Sequence, residues 1–167
     1  MILISNILDK ETLDHHAKEL IDFCKERRWK SSSLAWAPNL TQGVVGTCIT
    51  TNTSEMLKQR IIDCIVEHVP TFEEINISHY IWQMNSGISV HNDNNYKFSA
   101  TIYLNKEWHV NYGGLFVWKD KQIKEKWNAI CPQFNYMVIN DDATEHLVTI
   151  VSPLAPENRI TIQIRGF

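Results

Sequence analysis

After Pro70 the chain consists of short segments rich in β-branched and aromatic residues, and this pattern constrains the fold more than any other feature. Gly, Pro, Asn and Asp residues separate the segments, as is usual for turns between strands. A series of short strands after two helices predicts a small β-sandwich or jelly roll with a helical cover. The predicted strands cover residues 77–84, 98–105, 115–120, 136–140, 146–152 and 159–167.

Two segments before Pro70 are predicted to be helices. Residues 9–28 carry apolar side chains at helical spacing, and Asp9 gives a start signal. Residues 54–69 show the same spacing on one face, with Ser54 as the N-cap and Pro70 as the stop. The intervening residues 31–53 are rich in Ser, Thr, Gly and Asn, so we expect a loop with one strand near residues 44–49.

The composition excludes several classes of protein. With 167 residues, 44% of them hydrophobic and 21% charged, the chain can form one globular domain with a sizeable core. Its net charge of −3 and the absence of a block of five Lys or Arg residues argue against dedicated nucleic-acid binding. No apolar run approaches the roughly 20 residues that span a bilayer, so no membrane partner is expected. A Cys-x-x-Cys pair, which a zinc-dependent base deaminase would need, is absent.

The N-terminus and the cysteines predict a cytoplasmic protein. Acidic residues begin at Asp9, so the first residues do not resemble a secretory signal. The cysteines are too far apart in sequence for a zinc knuckle, and their spacing alone leaves disulfide pairing open. We expect free thiols in a reducing compartment, at Cys24, Cys48, Cys64 and Cys131.

The segment "SVHNDNN" contains two candidate metal ligands, His91 and Asp93. Side chains two residues apart on a strand point to the same face, so these two can converge. A second histidine would complete a set of two His and one carboxylate, which suits Fe(II) oxygen chemistry. We choose His146, which opens a late strand, over His79 on a strand and His109 in a predicted loop. Taken alone, such a triplet is more often a solvated turn, and a lone His more often bonds a carbonyl.

Arg159 is a candidate for binding a small molecule at the metal site. It lies thirteen residues after His146 and begins the last strand. If "PLAPEN" forms a turn between antiparallel strands, the two residues are offset by about three positions, or roughly 10 Å. A small dicarboxylate bound to a metal at one end could then reach the guanidinium, which grips carboxylates in a bidentate manner. The simpler alternative is a solvated Arg after a turn.

The faces of two strands support a polar pocket. In the last strand, Arg159, Thr161, Gln163 and Arg165 alternate with isoleucines. In "SATIYLN", the polar face carries Ser99, Thr101 and Tyr103, and Tyr103 is a second candidate for the same carboxylate. A solvated polar face is again the simpler alternative.

Residues from about 80 to 167, roughly half the chain, resemble the Fe(II)/2-oxoglutarate dioxygenases, and within them the prolyl hydroxylase domain (prolyl 4-hydroxylase-like) group. The matching segments, in order, are "HND", "TIYLNKEW", "GGLFVW", "ICPQFNYMVI", "EHLV" and "NRITIQI". The resemblance implies an α+β, mainly β fold, a double-stranded β-helix (jelly roll) with N-terminal helices packed on one sheet. Residues 1–167 would form a single domain, helical to about residue 70 and a jelly-roll core from about 71 to 167.

The resemblance also implies roles for individual residues. His91, Asp93 and His146 would hold Fe(II), while Arg159 and Tyr103 would bind the distal carboxylate of 2-oxoglutarate. Thr101, on the same strand face as Tyr103, and Gln163, on the same strand face as Arg159, are assigned to the same cosubstrate site. Gly113 and Gly114 would shape a hairpin beside it.

Two positions depart from the pattern of the family. Ile88 stands where the family often has a Tyr, whose ring Tyr80 or Trp82 would have to replace. Arg165 stands where the oxygen-sensing members often have a Trp. If Arg165 points into the site, it would recognise an acidic substrate; otherwise it is a surface charge near the C-terminus.

The resemblance implies an Fe(II)- and 2-oxoglutarate-dependent hydroxylase that uses O2, with ascorbate as the reductant. Asp93 favours hydroxylation, since related halogenases lack this carboxylate. A prolyl residue in a protein or peptide is the leading substrate. The alternatives are a hydroxylase of free proline or another amino acid, a cupin-like metal enzyme that does not use 2-oxoglutarate, and a metal-free sugar-binding jelly roll.

Overall fold

The structure, a computed structural model, describes residues 1–26, 30–31, 44–141 and 143–167. The described helices are α1 (Lys10–Glu26) and α2 (Glu55–Ile65), with a short 3-10 helix at Val110–Tyr112. The described strands are β1 (Ile2–Ser5), β2 (Lys30–Ser31), β3 (Val44–Val45), β4 (Cys48–Asn52), β5 (Ile75–Trp82), β6 (Gly87–His91), β7 (Phe98–Tyr103), β8 (Phe116–Lys119), β9 (Trp127–Ile130), β10 (Tyr136–Asp141), β11 (His146–Val148) and β12 (Arg159–Gly166).

The strands form two antiparallel sheets. The larger sheet has the order β1-β10-β7-β12-β5-β4-β2, and the smaller has the order β3-β6-β11-β8-β9. Strands distant in sequence are neighbours in both sheets, as expected for a jelly roll. The predicted fold class, mainly β with helices at the N-terminus, is confirmed.

The helix α2 packs on the larger sheet. Its fully buried side chains Leu57, Ile61 and Ile65 belong to the same apolar cluster as Ile102 of β7 and Ile162 of β12. Burial of such side chains contributes about 1.5–3 kcal/mol each, so this interface is a main source of stability. The helix therefore lies on the face of the sheet opposite to the polar side chains of β7 and β12.

Both helices begin where the sequence predicts. The Asp9 carboxylate accepts a hydrogen bond from the amide of Thr12 (2.7 Å) at the start of α1. The Ser54 hydroxyl accepts one from the amide of Leu57 (3.3 Å) at the start of α2. Each bond satisfies a backbone donor that the helix itself leaves free.

The six predicted strands are present, with ends that shift by a few residues. Strand β1, which pairs with β10, and strand β9 were not predicted. The strand expected near residues 44–49 is two strands, β3 and β4, divided at Gly46 with φ of +70°. Residues 27–29 of the predicted first helix and 32–43 of the predicted loop lie outside the described residues. The first 70 residues thus supply strands to both sheets as well as the helices.

The predicted hairpin between β11 and β12 is wrong. Strand β11 pairs with β6 and β8 in the smaller sheet, whereas β12 pairs with β5 and β7 in the larger one. The connection contains Pro153 and Pro156, which have no amide N–H and cannot extend a strand ladder. The expected offset of three residues between His146 and Arg159 therefore has no basis, although both side chains line the same cavity.

Within the described residues, no helix combines the length and apolar character needed to cross a membrane. The structure places Cys24, Cys48, Cys64 and Cys131 outside any disulfide.

Candidate metal centre

A cavity lies between the two sheets. Strands β5 to β8 and β10 to β12 contribute its walls, which combine apolar side chains with a row of polar and charged groups. The lining residues are Trp82, Ile88, His91, Asp93, Ser99, Ala100, Thr101, Phe116, Val138, Asn140, His146, Val148, Arg159, Gln163 and Arg165.

His91, Asp93 and His146 converge in this cavity. His91 ends β6 and His146 begins β11, and the two are paired in the antiparallel register. One ligand atom from each of the three residues lies within 4.8 Å of the other two. The distance from His146 Nε2 to Asp93 Oδ2 is 3.5 Å.

Asp93 reaches the cluster by a different route from the one predicted. It lies two residues beyond the end of β6, in a turn where its carbonyl accepts a hydrogen bond from the Tyr96 amide (3.0 Å). The turn, and not the alternation of a strand, directs its carboxylate towards the histidines.

Hydrogen bonds orient both histidine rings. His91 Nδ1 lies 2.8 Å from the carbonyl oxygen of Ser89, and His146 Nδ1 lies 2.9 Å from that of Thr144. A proton on Nδ1 donates to the carbonyl in each case, which leaves a lone pair on Nε2 for a metal. Burial lowers the pKa of His91, and the neighbouring His146 lowers it further. The neutral form that ligates metals is thereby favoured.

Two supporting residues, Asn140 and Ser99, were not identified from the sequence. Asn140 is buried, and its side-chain amide lies 2.9 Å from His146 Nδ1. Because that nitrogen carries the proton donated to Thr144, the amide is oriented with its oxygen towards the ring and accepts from the same N–H. The hydroxyl of Ser99 donates a hydrogen bond to Asp93 Oδ2. A signal for both was present, since Asn140 ends an otherwise apolar strand and Ser99 shares the polar face of β7. The donor set of two imidazoles and one oriented carboxylate fits a divalent metal such as Fe(II).

Arg159 and Tyr103 lie together in the protein interior. Arg159 is 1% exposed and Tyr103 is 0% exposed, and the guanidinium carbon lies 5.3 Å from the centre of the Tyr103 ring. Among the described residues, Arg159 Nε and Nη2 and the Tyr103 hydroxyl have no hydrogen-bond partner. Burial lowers the pKa of Arg159 and raises the pKa of Tyr103 to about 12. Arg159 is therefore not solvated, and its surroundings fit the carboxylate of a bound ligand.

Two glycines make room for Arg159. Gly114 has φ of +62°, and a Cβ atom there would lie 2.6 Å from Arg159 Cδ. Gly113 follows the 3-10 helix with φ of +65°, and its Cβ would lie 2.1 Å from the Ile150 carbonyl oxygen. Only glycine fits both the conformation and the space at these positions. They lie beside the cavity as expected, but they follow a 3-10 helix and do not form a hairpin.

Thr101 and Gln163 lie on the wall between the two arginines of β12. The Thr101 hydroxyl donates to Gln163 Oε1 at 2.9 Å across the paired strands β7 and β12. Both side chains line the cavity, so the predicted polar faces point inwards.

Arg165 also points into the cavity and is only partly exposed. Its Nη1 donates a hydrogen bond to the Tyr80 hydroxyl (3.1 Å). Its guanidinium lies over the rings of Tyr80 and Tyr96, 5.7 Å and 5.3 Å from their centres. The interpretation as a surface charge is therefore wrong. Of the two residues considered as replacements for the family's tyrosine, Trp82 lines the cavity and Tyr80 contacts Arg165.

Comparisons with solved structures show the same fold. A prolyl-4-hydroxylase from Pseudomonas putida has a TM-score of 0.72 at 13% identity, with 99% of this chain and 91% of that chain covered. A Trichoplax adhaerens prolyl hydroxylase, solved with a hypoxia inducible factor peptide fragment, also has a TM-score of 0.72 at 13% identity. The match covers 99% of this chain and 82% of that chain. SnoN, an alpha-ketoglutarate-dependent epimerase from nogalamycin biosynthesis, has a TM-score of 0.64 at 10% identity, with coverage of 98% and 75%.

A comparison with curated protein sequences found no match. The family model of the 2OG-Fe(II) oxygenase superfamily, however, matches residues 75–164, which is more than half of the chain and includes every lining residue of the cavity except Arg165. The protein therefore belongs to the 2OG-Fe(II) oxygenase superfamily, the 2-oxoglutarate-dependent non-haem iron oxygenases.

Proposed function

We propose that this protein is an Fe(II)- and 2-oxoglutarate-dependent hydroxylase in which His91, Asp93 and His146 hold the metal. The observation that carries the proposal is one cavity with three convergent ligands and a buried arginine whose Nε and Nη2 have no hydrogen-bond partner among the described residues. Arg159 and Tyr103 would bind the distal carboxylate of 2-oxoglutarate, which compensates the buried charge.

When bound, Fe(II) with 2-oxoglutarate and O2 supplies the oxidation: 2-oxoglutarate yields succinate and CO2, and one oxygen atom enters a substrate C–H bond. The chain positions these groups and excludes water. Ser99 and Asn140 hold Asp93 and His146 in place, while the hydrogen-bonded pair Thr101 and Gln163 lines the cosubstrate side.

For the substrate we propose a prolyl residue in a protein or peptide. The ordered segments that resemble the prolyl hydroxylase group support this choice, as does the shared fold with the Pseudomonas and Trichoplax proteins. A small molecule such as a free amino acid is the second candidate, because Arg165 adds a cation to the cavity. A cupin-like enzyme without 2-oxoglutarate is disfavoured, since it would have no use for Arg159 and Tyr103. A cytoplasmic location and ascorbate as reductant complete the proposal, and the free thiols are compatible with a reducing compartment.

The test is succinate release by the purified protein with Fe(II), ascorbate and 2-oxoglutarate. We expect slow release without substrate, faster release with a substrate peptide, and a +16 Da product by mass spectrometry. Reactions with a chelator in place of Fe(II) provide the control. If the protein releases no succinate and does not bind 2-oxoglutarate, the proposal is wrong.

A further inference from the structure

The two arginines of β12 lie at different ends of the cavity. Arg159 begins the strand and Arg165 lies six positions later, which corresponds to about 20 Å along a strand. Arg159 is 1% exposed, whereas Arg165 is partly exposed. A five-carbon diacid held by Arg159 at the closed end therefore does not reach Arg165.

Arg165 lies on the side of the metal ligands. In the register of β7 and β12 it is paired with Ser99, the residue that donates a hydrogen bond to Asp93. It lines the cavity together with His91 and Asp93. A group held by Arg165 would therefore lie close to the reacting centre, where the substrate must bind.

Two tyrosines fix the orientation of Arg165. Tyr80 accepts its hydrogen bond and stacks on one side, while Tyr96, in the turn after Asp93, provides a second ring. Aromatic rings contact the faces of a guanidinium, whereas planar recognition of a carboxylate uses its edges, so the two kinds of contact are compatible. Such preorganisation reduces the entropy that is lost when a ligand binds.

The charges of the cavity favour an anion. Among its described lining residues, the charged side chains are Asp93, Arg159 and Arg165, so two cations face one anion. Fe(II) and doubly charged 2-oxoglutarate add equal and opposite formal charges. With both bound, the described lining residues still leave an excess of one positive charge.

We propose that Arg165 binds a carboxylate of the substrate, so that this hydroxylase selects C–H bonds that lie near an acidic group. This inference rests on the proposed function and narrows its substrate class. The carboxylate belongs either to a free amino acid or to an acidic residue of a peptide. Both sources offer the same chemistry to the guanidinium, and the experiment separates them.

The experiment uses two pairs of probes that differ only in charge. The first pair is L-proline and L-prolinamide. The second is the N-acetylated, C-amidated peptide Gly-Glu-Pro-Glu-Gly and the same peptide with both Glu replaced by Gln. Stimulated succinate release is measured for each probe with the wild type, Arg165→Gln, Arg165→Lys and Lys97→Gln. Lys97 is the matched control, because its ammonium pairs with Glu73 (3.2 Å) at the surface, outside the cavity.

We expect the wild type to prefer the acidic member of one pair by about 10- to 100-fold in kcat/KM, the usual range for hydrogen bonds to a charged group. The pair that shows the preference identifies the source of the carboxylate. Arg165→Gln should remove the preference, mainly through KM. Arg165→Lys should retain part of it, because the charge remains but the planar fork is lost, and Lys97→Gln should behave as the wild type.

A second readout does not depend on turnover. With redox-inert Mn(II) and 2-oxoglutarate bound, NMR line broadening reports which probe comes close to the metal. The wild type should broaden the acidic probe more than its amide, and Arg165→Gln should not.

Two results would overturn the role of Arg165 in binding a substrate carboxylate. In the first, the wild type shows no preference for the acidic probe of either pair in succinate release or in line broadening; in the second, Arg165→Gln keeps the preference. Binding of 2-oxoglutarate to the metal-loaded wild type keeps that failure distinct from failure of the proposed function. If 2-oxoglutarate does not bind, the proposed function fails; if it binds without any acid preference, only the role of Arg165 fails.

Discussion

Two buried clusters of this molecule combine two histidines with one carboxylate, yet they are organised differently. The cavity cluster consists of His91, Asp93 and His146. The helix-side cluster, between α1, the start of α2 and β5, consists of His16, Glu19 and His79. In the part of the chain that the structure describes, only the cavity cluster brings three possible ligand atoms within 4.8 Å of one another.

The helix-side cluster uses its carboxylate within the fold, whereas His16 Nδ1 and His79 Nδ1 have no hydrogen-bond partner among the described residues. Glu19 accepts hydrogen bonds from both the amide (2.8 Å) and the hydroxyl of Ser54, and Oε1 lies 3.3 Å from His79 Nε2. The rings of His16 and His79 pack with their centres 4.9 Å apart, and Phe23 contacts His79 at 5.4 Å. The carboxylate thus joins α1 to the start of α2, and the imidazoles serve as packing groups.

The cavity cluster has the opposite arrangement. Both histidines direct Nδ1 to the carbonyl oxygen of the residue two positions earlier in the chain, so Nε2 faces the cavity beside the Asp93 carboxylate. The comparison shows that residue types alone do not make a metal centre. A metal centre also needs a hydrogen-bonded group at the Nδ1 atom of each histidine and open space in front of Nε2. Of the two clusters, the cavity cluster has both.

The largest effect is expected when a cavity histidine is removed. His146→Ala should lower metal affinity by more than about 100-fold, since loss of a supporting residue alone typically costs 10- to 100-fold. Calorimetric titration with Mn(II) measures this directly. His79→Ala is the matched control, which should keep metal affinity but lose about 2–4 kcal/mol of unfolding free energy to a core cavity. Loss of metal binding in both variants, or in neither, would contradict the assignment of the two clusters.

The next effect concerns the buried charge near the cavity cluster. Arg159→Met should raise the 2-oxoglutarate concentration needed for half-maximal succinate release by about 100-fold, because the bidentate contact is lost. Without 2-oxoglutarate, the same variant should unfold at an equal or higher temperature than the wild type, since a buried charge is replaced by an apolar side chain of similar length. Arg60→Met, at a surface ion pair with Glu11, is the control and should change neither property. An unchanged 2-oxoglutarate dependence would refute the role of Arg159.

The helix-side cluster should make the fold sensitive to acid. Burial lowers the pKa of His16 from its ordinary value of 6.5 to about 3, so the unfolded chain binds a proton that the folded chain rejects. The stability contributed by neutral His16 is therefore complete above pH 6.5 and decreases as the pH falls towards 3. At about 1.4 kcal/mol per pH unit, the wild type should lose roughly 2–3 kcal/mol more than His16→Phe between pH 6.5 and 4.5.

Urea unfolding at several pH values measures this difference. His91, whose pKa burial also lowers, contributes equally to both proteins and cancels in the comparison. Burial alone would raise the pKa of Glu19, but hydrogen bonds with His79 and Ser54 lower it below its ordinary value of 4.5, so its contribution is lost only at lower pH. If the unfolding free energies of the wild type and His16→Phe depend on pH in the same way, His16 does not contribute to acid sensitivity.

The smallest effect is expected at the cap of α2. Ser54→Ala removes the acceptor for the Leu57 amide and one hydrogen bond to Glu19. We expect a loss of about 1 kcal/mol in unfolding free energy, typical of an N-cap. Mn(II) affinity should not change, because this cluster does not face the cavity, and a clear decrease in affinity would show that the two clusters are coupled.

Much of the fold and of the candidate site was predictable because it depends on local patterns. The alternation of Ile160, Ile162 and Ile164 with polar residues correctly placed Arg159 and Gln163 on the cavity side. The cap at Ser54 and the late position of His146 were likewise visible in the sequence.

The features that were missed depend on contacts between distant segments. Strand β1 is too short to show alternation and is defined by its pairing with β10. The pairing of β12 with β5 and β7, which replaces the expected hairpin, follows from closure of the sheets and not from local spacing. Ser99 gains its role only when the turn after β6 brings Asp93 against it, and Asn140 only when the fold places His146 beside it.

The central claim is that the cavity cluster holds a metal and that 2-oxoglutarate binds between this metal and Arg159. Calorimetric titration of 2-oxoglutarate into the wild type, with Mn(II) bound and after removal of the metal by a chelator, tests it most directly. We expect 2-oxoglutarate to bind with Mn(II) present and at least about 10-fold more weakly without it, because the metal and the arginine each hold one end of the ligand. Equal affinity in both states, or no binding to the metal-loaded protein, would contradict the claim.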